Sequence, residues 1–199
     1  MDKVKYAFKQ KNFIAYLFAY LAQNVVMALL LASLPYWSDY VMEFNTYSIQ
    51  LILIILFLIA CLASVPLWLW VARKYGNRIG YMCGTSGTAV CLFIGVFATD
   101  LIAIFIILIF IGIAMGATWS LLYPTFSDII DEIVLDTRER DDGVYYGLRT
   151  LFGRLSIVIQ ALTFGILHTI TNFNQYADTQ TAEAQLGIIL GMFLVPAIF

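Results

Sequence analysis

Long uncharged stretches alternate with short charged segments along this chain. Runs without Asp, Glu, Lys or Arg cover 12–38, 44–72, 79–99, 101–127, 155–177 and 184–199. A helix needs about 20 mostly apolar residues to cross the hydrocarbon core of a bilayer, and open strands would leave backbone groups unpaired there. The pattern predicts an all-α membrane protein with six transmembrane helices, over roughly 12–38, 46–72, 79–98, 101–127, 143–171 and 184–199, the last one cut short.

Composition excludes a soluble globular domain. Hydrophobic residues make up 62% of the chain and charged residues 12%, whereas a soluble domain carries about 25% charged residues. The net charge of −2 gives no sign of nucleic-acid binding. Cys61, Cys83 and Cys91 lie inside predicted spans without metal-binding spacing. We interpret them as small buried apolar residues, and no metal site is predicted.

The basic residues predict how the helices are oriented. If both termini are cytoplasmic, all 11 Lys and Arg residues fall in the inner segments or at the inner end of the fifth span. The predicted outer loops hold no Lys or Arg and instead carry Asp39, Glu43, Asp100, Asp178 and Glu183. Because positive charge is retained on the cytoplasmic side, the N-terminus is predicted to be cytoplasmic.

Residues 124–154 hold most of the acidic residues of the chain. Helical spacing of apolar residues predicts that the fourth span continues as an amphipathic helix beyond the membrane, with Asp128 and Asp131 on one face. These carboxylates could simply keep an inner loop solvated. Alternatively, they pair with Arg73, Arg78 or Arg140 and close the cytoplasmic side of a moving bundle.

The fifth span has one polar side, which is typical of a helix that lines a water-filled cavity. Its polar residues are Arg149, Thr150, Arg154, Ser156, Gln160, Thr163 and His168. Arg154 lies about 16 Å along the helix from Gly143, near the middle of the membrane. Either arginine could instead extend its side chain to the inner headgroups.

Amides interrupt the first span at Gln23 and Asn24. They either line the same cavity or hydrogen-bond across to another helix. His168 is isolated and reads as a packed histidine. The chain has no Ser/His/Asp arrangement, glycine-rich phosphate loop or His/Cys/carboxylate cluster, so we predict neither an enzyme nor a resident cofactor.

The segment SDIIDEIVLDTRERDDGVYYGLRTLFGRL resembles helices 10 and 11 of the glycoside–pentoside–hexuronide:cation symporters, the melibiose-permease-like branch of the major facilitator superfamily. Asp128 and Asp131 match the acidic pair A-D-x-x-D that ends helix 10. The stretch that opens helix 11 is matched by Thr137, Arg140, Asp142, Gly143, Tyr145, Tyr146 and Gly147. The segment 66–80 similarly resembles the basic loop between helices 8 and 9.

This resemblance implies that the chain is the C-terminal six-helix half of a twelve-helix major-facilitator bundle. It places Arg154 where the family has a helix 11 lysine facing the sugar, and Trp119 at an aromatic position near the sugar. The full expected cavity set is Arg154, Trp119, Thr150, Arg149, Gln23, Asn24 and Gln160. The expected cytoplasmic gate is Asp128, Asp131, Arg140, Arg73 and Arg78.

The predicted function is that of half a secondary active transporter in the plasma membrane. It would move a small solute such as a sugar or glycoside with Na⁺ or H⁺, surrounded by membrane lipids, with the cation ligands in a separate N-terminal half. An alternative within the superfamily is a carrier or exporter of lysolipids or other amphiphiles. An alternative of another class is a non-transporting membrane scaffold subunit.

Overall fold

The structure is a computed structural model that describes residues 2–42, 47–98, 100–177 and 179–199. Every regular element in these ranges is helical, which confirms the predicted all-α class. Two acidic residues of the predicted outer loops, Glu43 and Asp178, lie outside the described residues, as does the first residue of the predicted span 46–72.

Eight α-helices and one π-helical turn follow one another in the described ranges. The α-helices are α1 (Asp2–Ala7), α2 (Lys11–Tyr40), α3 (Tyr47–Tyr75), α4 (Asn77–Gly95), α5 (Leu101–Thr137), α6 (Asp142–Ile170), α7 (Ala182–Ile189) and α8 (Val195–Ile198), and the π-helical turn is Leu190–Leu194. We refer to Ala182–Ile198 as the C-terminal segment.

Four of these helices are long and apolar enough to cross a membrane: α2, α3 from Ile49 onward, α5 and α6. The remaining two predicted spans correspond to α4 and the C-terminal segment. Helix α4 has 19 residues and is less apolar, because several Gly, Ser and Thr residues fall within it. The C-terminal segment is a shorter apolar helix.

Helix α5 continues well beyond the membrane, as the amphipathic pattern predicts. Its 37 residues form one helix with Pro124 inside it, and at 1.5 Å per residue it is about 55 Å long. The hydrocarbon core is only about 30 Å thick. The acidic end of α5 therefore extends beyond the membrane, while Ile130 and Ile133 on its apolar face stay buried against other helices. The helix ends before Arg138, a left-handed residue with φ 56°.

The helices pack in two groups. Helix α5 packs on α3 and α4, while α2 packs on α6 and on the C-terminal segment. The two groups meet where α4 touches the C-terminal segment and where side chains of α2 contact α5, as in the hydrogen bond of 3.2 Å that Tyr16 donates to the carbonyl of Leu122.

The α3–α5 contact is close because glycines of α5 face the backbone of α3. A Cβ added at Gly112 would lie 2.7 Å from the carbonyl oxygen of Phe57, so only glycine fits there. Trp68 donates a hydrogen bond of 2.7 Å from Nε1 to the carbonyl of Ile113. Close backbone approach through small residues is a common way for membrane helices to associate.

Candidate functional site

Arg149 of α6 is buried beneath aromatic rings of α2 and α5. Its side chain is 6% exposed. The guanidinium carbon lies 4.5 Å from the ring centre of Tyr20, 4.5 Å from that of Tyr123 and 5.2 Å from that of Phe126. All three distances lie within the range of a cation–π interaction. We call Arg149 with these three rings the Arg149 cage.

Helical spacing assembles this cage from three separate helices. Residues three or four apart share one helix face, so Tyr123 and Phe126 lie on one side of α5, and Tyr16 and Tyr20 on one side of α2. The two sets meet where the rings of Tyr16 and Phe126 stack with centroids 5.1 Å apart. Arg149 lies about 10 Å along α6 from Asp142.

Within the described residues, Arg149 has no acidic partner. Its charge is surrounded by aromatic faces and by the hydroxyl groups of Tyr16 and Tyr123, which interact with the guanidinium. The ion pairs found in these residues both belong to Arg140. The Nε atom of Arg149 is buried without a hydrogen-bond partner. The cage therefore holds a buried positive charge that no described carboxylate neutralises.

The amides of the first span have different surroundings. Tyr81 donates a buried hydrogen bond of 2.8 Å to Oε1 of Gln23, joining α4 to α2. Gln23 also lines a cavity of about 350 Å³ between α2, α4 and α5, together with Thr85 and Thr118. Asn24 donates to the backbone carbonyl of Tyr20 at 2.7 Å, which is a contact within its own helix.

Trp119 lines an apolar groove between α2, α3 and α5. The groove has a volume of about 300 Å³. Trp119 is 38% exposed, and its ring packs edge-on against Phe57 with centroids 6.1 Å apart. The remaining lining residues are Met27, Leu30, Leu31, Leu34, Leu53, Ile54, Leu58, Leu108, Ile111 and Met192. We call this cavity the Trp119 groove.

The other predicted cavity residues lie on the more open side of α6. Arg154 is exposed, and no described residue forms an ion pair or hydrogen bond with it. Thr150 is exposed and donates to the carbonyl of Tyr146 at 2.9 Å. Gln160 is partly exposed. The predicted cavity residues are thus divided among the Arg149 cage, the Gln23 cavity, the Trp119 groove and the exposed side of α6.

The predicted gate lies at the basic end of the bundle, the end predicted to be cytoplasmic. Arg140 pairs with Asp142 at 3.1 Å and lies 4.0 Å from Asp131. The hydrogen bond with Asp142 raises the pKa of the Arg140 guanidinium, which stays charged. Asp128 accepts its hydrogen bond from an amide, Nδ2 of Asn77, at 2.8 Å.

The neighbouring acidic residue Glu132 also has an asparagine, not an arginine, as its hydrogen-bond partner. Nδ2 of Asn12 lies 2.9 Å from both carboxylate oxygens of Glu132, so this amide joins α2 to α5. Arg78 lines a cavity of about 350 Å³ that Asp128 and Glu132 also line. Arg73 is exposed, and no described residue forms an ion pair with it.

Sequence reasoning missed most of the residues that surround Arg149. Aromatic residues are common near the ends of membrane helices, so single tyrosines gave no signal. The signal that could have found them is paired spacing: the i, i+4 pair of Tyr16 and Tyr20 and the i, i+3 pair of Tyr123 and Phe126. In the part of the chain that the structure describes, no group of three or more His, Cys, Asp or Glu residues could hold a metal ion.

Four long apolar helices packed into one bundle indicate a multi-pass membrane protein. The chain belongs to the MFS/sugar transport protein family, whose profile matches residues 1–199. This membership identifies a transporter of sugars or similar solutes in the major facilitator superfamily and points away from an enzyme. No curated protein matches the chain.

Proposed function

We propose that the chain forms half of a secondary active transporter that moves a small solute, such as a sugar or glycoside, by cation-coupled symport. The observation that carries this proposal is the Arg149 cage. A charged residue within an apolar bundle is expensive and marks a solute or ion pathway by default. A scaffold subunit has no need to place an arginine without an acidic partner among its helices.

In this proposal the chain is the C-terminal half of a melibiose-permease-like symporter. It pairs with an N-terminal six-helix half, and the solute lies between the halves near the middle of the membrane. The coupling ion is Na⁺ or H⁺, and its ligands belong to the N-terminal half. The distribution of Lys and Arg supports a cytoplasmic N-terminus, and the proposal places the transporter in the plasma membrane.

In this proposal one group of residues lines the solute path and a second group forms the cytoplasmic gate. Arg149, Gln23 and Trp119 line separate parts of the solute path inside the bundle, and Thr150 and Arg154 line the part of it on the exposed side of α6. Asn24 and Gln160 complete the wall. The gate at the basic end comprises Asp128, Asp131, Arg140, Arg73 and Arg78, with the Asn12–Glu132 hydrogen bonds added to it.

Uptake by proteoliposomes tests this proposal. The complete transporter, this chain with its N-terminal half, is reconstituted and supplied with labelled mono- and disaccharides under an imposed Na⁺ or proton gradient. Symport predicts solute accumulation that stops when an ionophore dissipates the gradient. Uptake that is independent of both gradients would indicate facilitated transport and exclude cation coupling. Absence of uptake of any solute would favour the scaffold alternative.

The Trp119 groove favours a second candidate, a carrier of lysolipids or other amphiphiles. Its walls are apolar throughout, which suits an acyl chain better than a sugar. Replacing Phe57 by Gln places an amide in the groove. If acyl chains occupy the groove, Phe57→Gln should slow uptake of a labelled lysolipid while sugar uptake is unchanged. Equal effects on both solutes would count against this candidate.

A further inference from the structure

Helix α1 is held against the basic end of the bundle by one of its sides. Ala7 is fully buried, and Tyr6 and Ala7 both pack in the apolar cluster that contains Phe13 of α2. Helix α1 also contacts α6. Gln10 has an extended backbone, with φ −80° and ψ 106°, so α1 does not continue into α2, which begins at Lys11. The chain therefore places a separate short helix beside the point where α2 begins.

The other side of α1 combines apolar and basic side chains. The N–H of Phe8 donates to the carbonyl of Val4 at 3.1 Å, so the helical turn reaches Phe8 and places these two residues on one face. Val4 is 39% exposed and Phe8 is 45% exposed. Lys5 and Lys9 each follow one of them and are exposed as well, about 100° further around the helix. The side of α1 that is turned away from the bundle thus carries an apolar pair next to a basic pair.

The lysines of this segment have no acidic partners in the part of the chain that the structure describes. Lys5, Lys9 and Lys11 are exposed, and no described residue forms an ion pair with any of them. Retention of positive charge on the cytoplasmic side accounts for lysines here, but it does not account for Val4 and Phe8 beside them. Exposed apolar side chains flanked by lysines are typical of a helix that lies in the membrane interface and attracts anionic lipids.

We propose that α1 docks on the inner leaflet of the membrane and recognises anionic phospholipid headgroups. Its lysines, with Lys11, contact the headgroup phosphates, and Val4 and Phe8 enter the boundary between headgroups and acyl chains. Residues 8–10 alone separate α1 from α2, the first helix long enough to cross the membrane. A segment of three residues spans at most about 11 Å, so α1 stays close to the headgroups. This lipid surface is separate from the proposed solute path and gate.

Spin labelling tests the docking on the complete transporter in nanodiscs. A spin label is attached to Val4→Cys in a background without the native cysteines, and its accessibility to a water-soluble nickel chelate is measured. We expect lower accessibility when the nanodiscs contain phosphatidylglycerol than when they contain phosphatidylcholine alone. High salt should reverse the difference, because it screens the attraction between exposed charges. A label at Asp136→Cys, an exposed position on α5, should be equally accessible in both lipids.

Substitutions connect the lipid dependence to α1. Lys5→Gln combined with Lys9→Gln should abolish the protection of the label by phosphatidylglycerol, because each lysine beside an anionic leaflet strengthens the attraction about fivefold. Phe8→Gln should reduce the protection while the charge is unchanged. Lys74→Gln combined with Arg138→Gln is the control, since it makes the same charge change at other exposed positions, and it should leave the protection intact. Thermal unfolding verifies that each variant is folded.

Three results would overturn the proposal. A label that is equally accessible in both lipids and open to the chelate would show that α1 does not dock on the membrane. A label that is equally protected in both lipids, whatever the lysine substitutions, would show that α1 packs on the N-terminal half of the transporter instead. Loss of protection in the Lys74 and Arg138 control would show that overall charge, not α1, determines the effect. None of these results depends on solute uptake, so the test is independent of the proposed transport function.

Discussion

The guanidinium carbon of Arg149 lies 4.5 Å from the centre of the Tyr20 ring, so the face of an α2 aromatic residue holds a cation of α6. On the other side, Tyr123 of α5 approaches the same guanidinium equally closely. Arg149 therefore adds to the direct contacts between α2 and α5 at this level of the bundle, where the rings of Tyr16 and Phe126 also stack.

Removing the Tyr20 ring should weaken this junction. Tyr20→Leu is expected to lower the free energy of unfolding by about 0.5–2 kcal/mol, the range of a cation–π contact. Tyr20→Phe keeps the ring face and should have little effect. Chemical unfolding in detergent micelles measures both variants. Equal destabilisation by Leu and Phe would show that the hydroxyl of Tyr20, not its ring, holds Arg149.

The buried Tyr81–Gln23 hydrogen bond gives a second prediction. Tyr81→Phe leaves Oε1 of Gln23 without its donor. Hydrogen bonds between membrane helices contribute about 0.6 kcal/mol on average and at most about 1.7, so we expect a loss in this range. A double-mutant cycle with Gln23→Leu isolates the pair. A coupling energy of zero would mean that water replaces the tyrosine hydroxyl.

Glycine at position 112 should be irreplaceable in the α3–α5 contact. A methyl group there would lie 2.7 Å from the Phe57 carbonyl oxygen and 2.9 Å from Cβ of Ala60. Gly112→Ala should therefore destabilise the protein by about 1–3 kcal/mol, as overpacking does. Gly165→Ala is the matched control, since no atom lies within 4 Å of the added carbon. Similar thermal stabilities of the two variants would contradict this packing.

The Asn12–Glu132 contact is expected to restrain the basic end of the bundle. Glu132→Ala removes both hydrogen bonds that join α2 to α5 there. With Ala19→Cys as the probe, a half-buried α2 position in the cavity that Glu132 also lines, we expect faster reaction with a thiol reagent in this variant, because the gap between the helices opens more often. Asp136→Ala, an exposed acid of the same helix, is the control. Unchanged reactivity would mean that Asn12 and Glu132 do not hold the gate.

Neutralising the predicted acidic pair tests the gate more broadly. In the complete transporter, Asp128→Asn with Asp131→Asn should shift the protein toward an inward-open form, because these carboxylates lie on the helix end next to Asn77 and Arg140. Cysteine probes accessible from each side of the membrane report the shift. Identical labelling from both sides in wild type and variant would exclude a gating role.

The helices themselves could be predicted because the relevant signal is local. Charge-free length decides which segments cross a membrane, and the continuation of α5 to Thr137 follows from apolar spacing within the same segment. The reduced apolar character of α4 was visible in its Gly, Ser and Thr content. Helix existence and class required no knowledge of neighbouring helices.

The cage could not be predicted because it depends on which helices are neighbours. Its depth along the fifth span favoured Arg154 over Arg149 as the main solute-cavity residue. In the structure, however, Arg149 is buried and Arg154 is exposed. A helical wheel assigns residues to a side but does not say what covers that side. Likewise, charge alone paired Asp128 and Asp131 with arginines; Asp131 does lie 4.0 Å from Arg140, whereas Asp128 accepts a hydrogen bond from Asn77.

Pro124 lies within α5, so a bend at this residue would move the end of the helix beyond it. Proline removes a backbone hydrogen bond and eases bending at that point. Glu132 is eight residues beyond it, so a bend of about 10° would displace Glu132 by roughly 2 Å at 1.5 Å per residue. That displacement exceeds what a 2.9 Å hydrogen bond to Asn12 tolerates. A small displacement beside Tyr123 would thus break the hydrogen bonds between Asn12 and Glu132 near the end of α5.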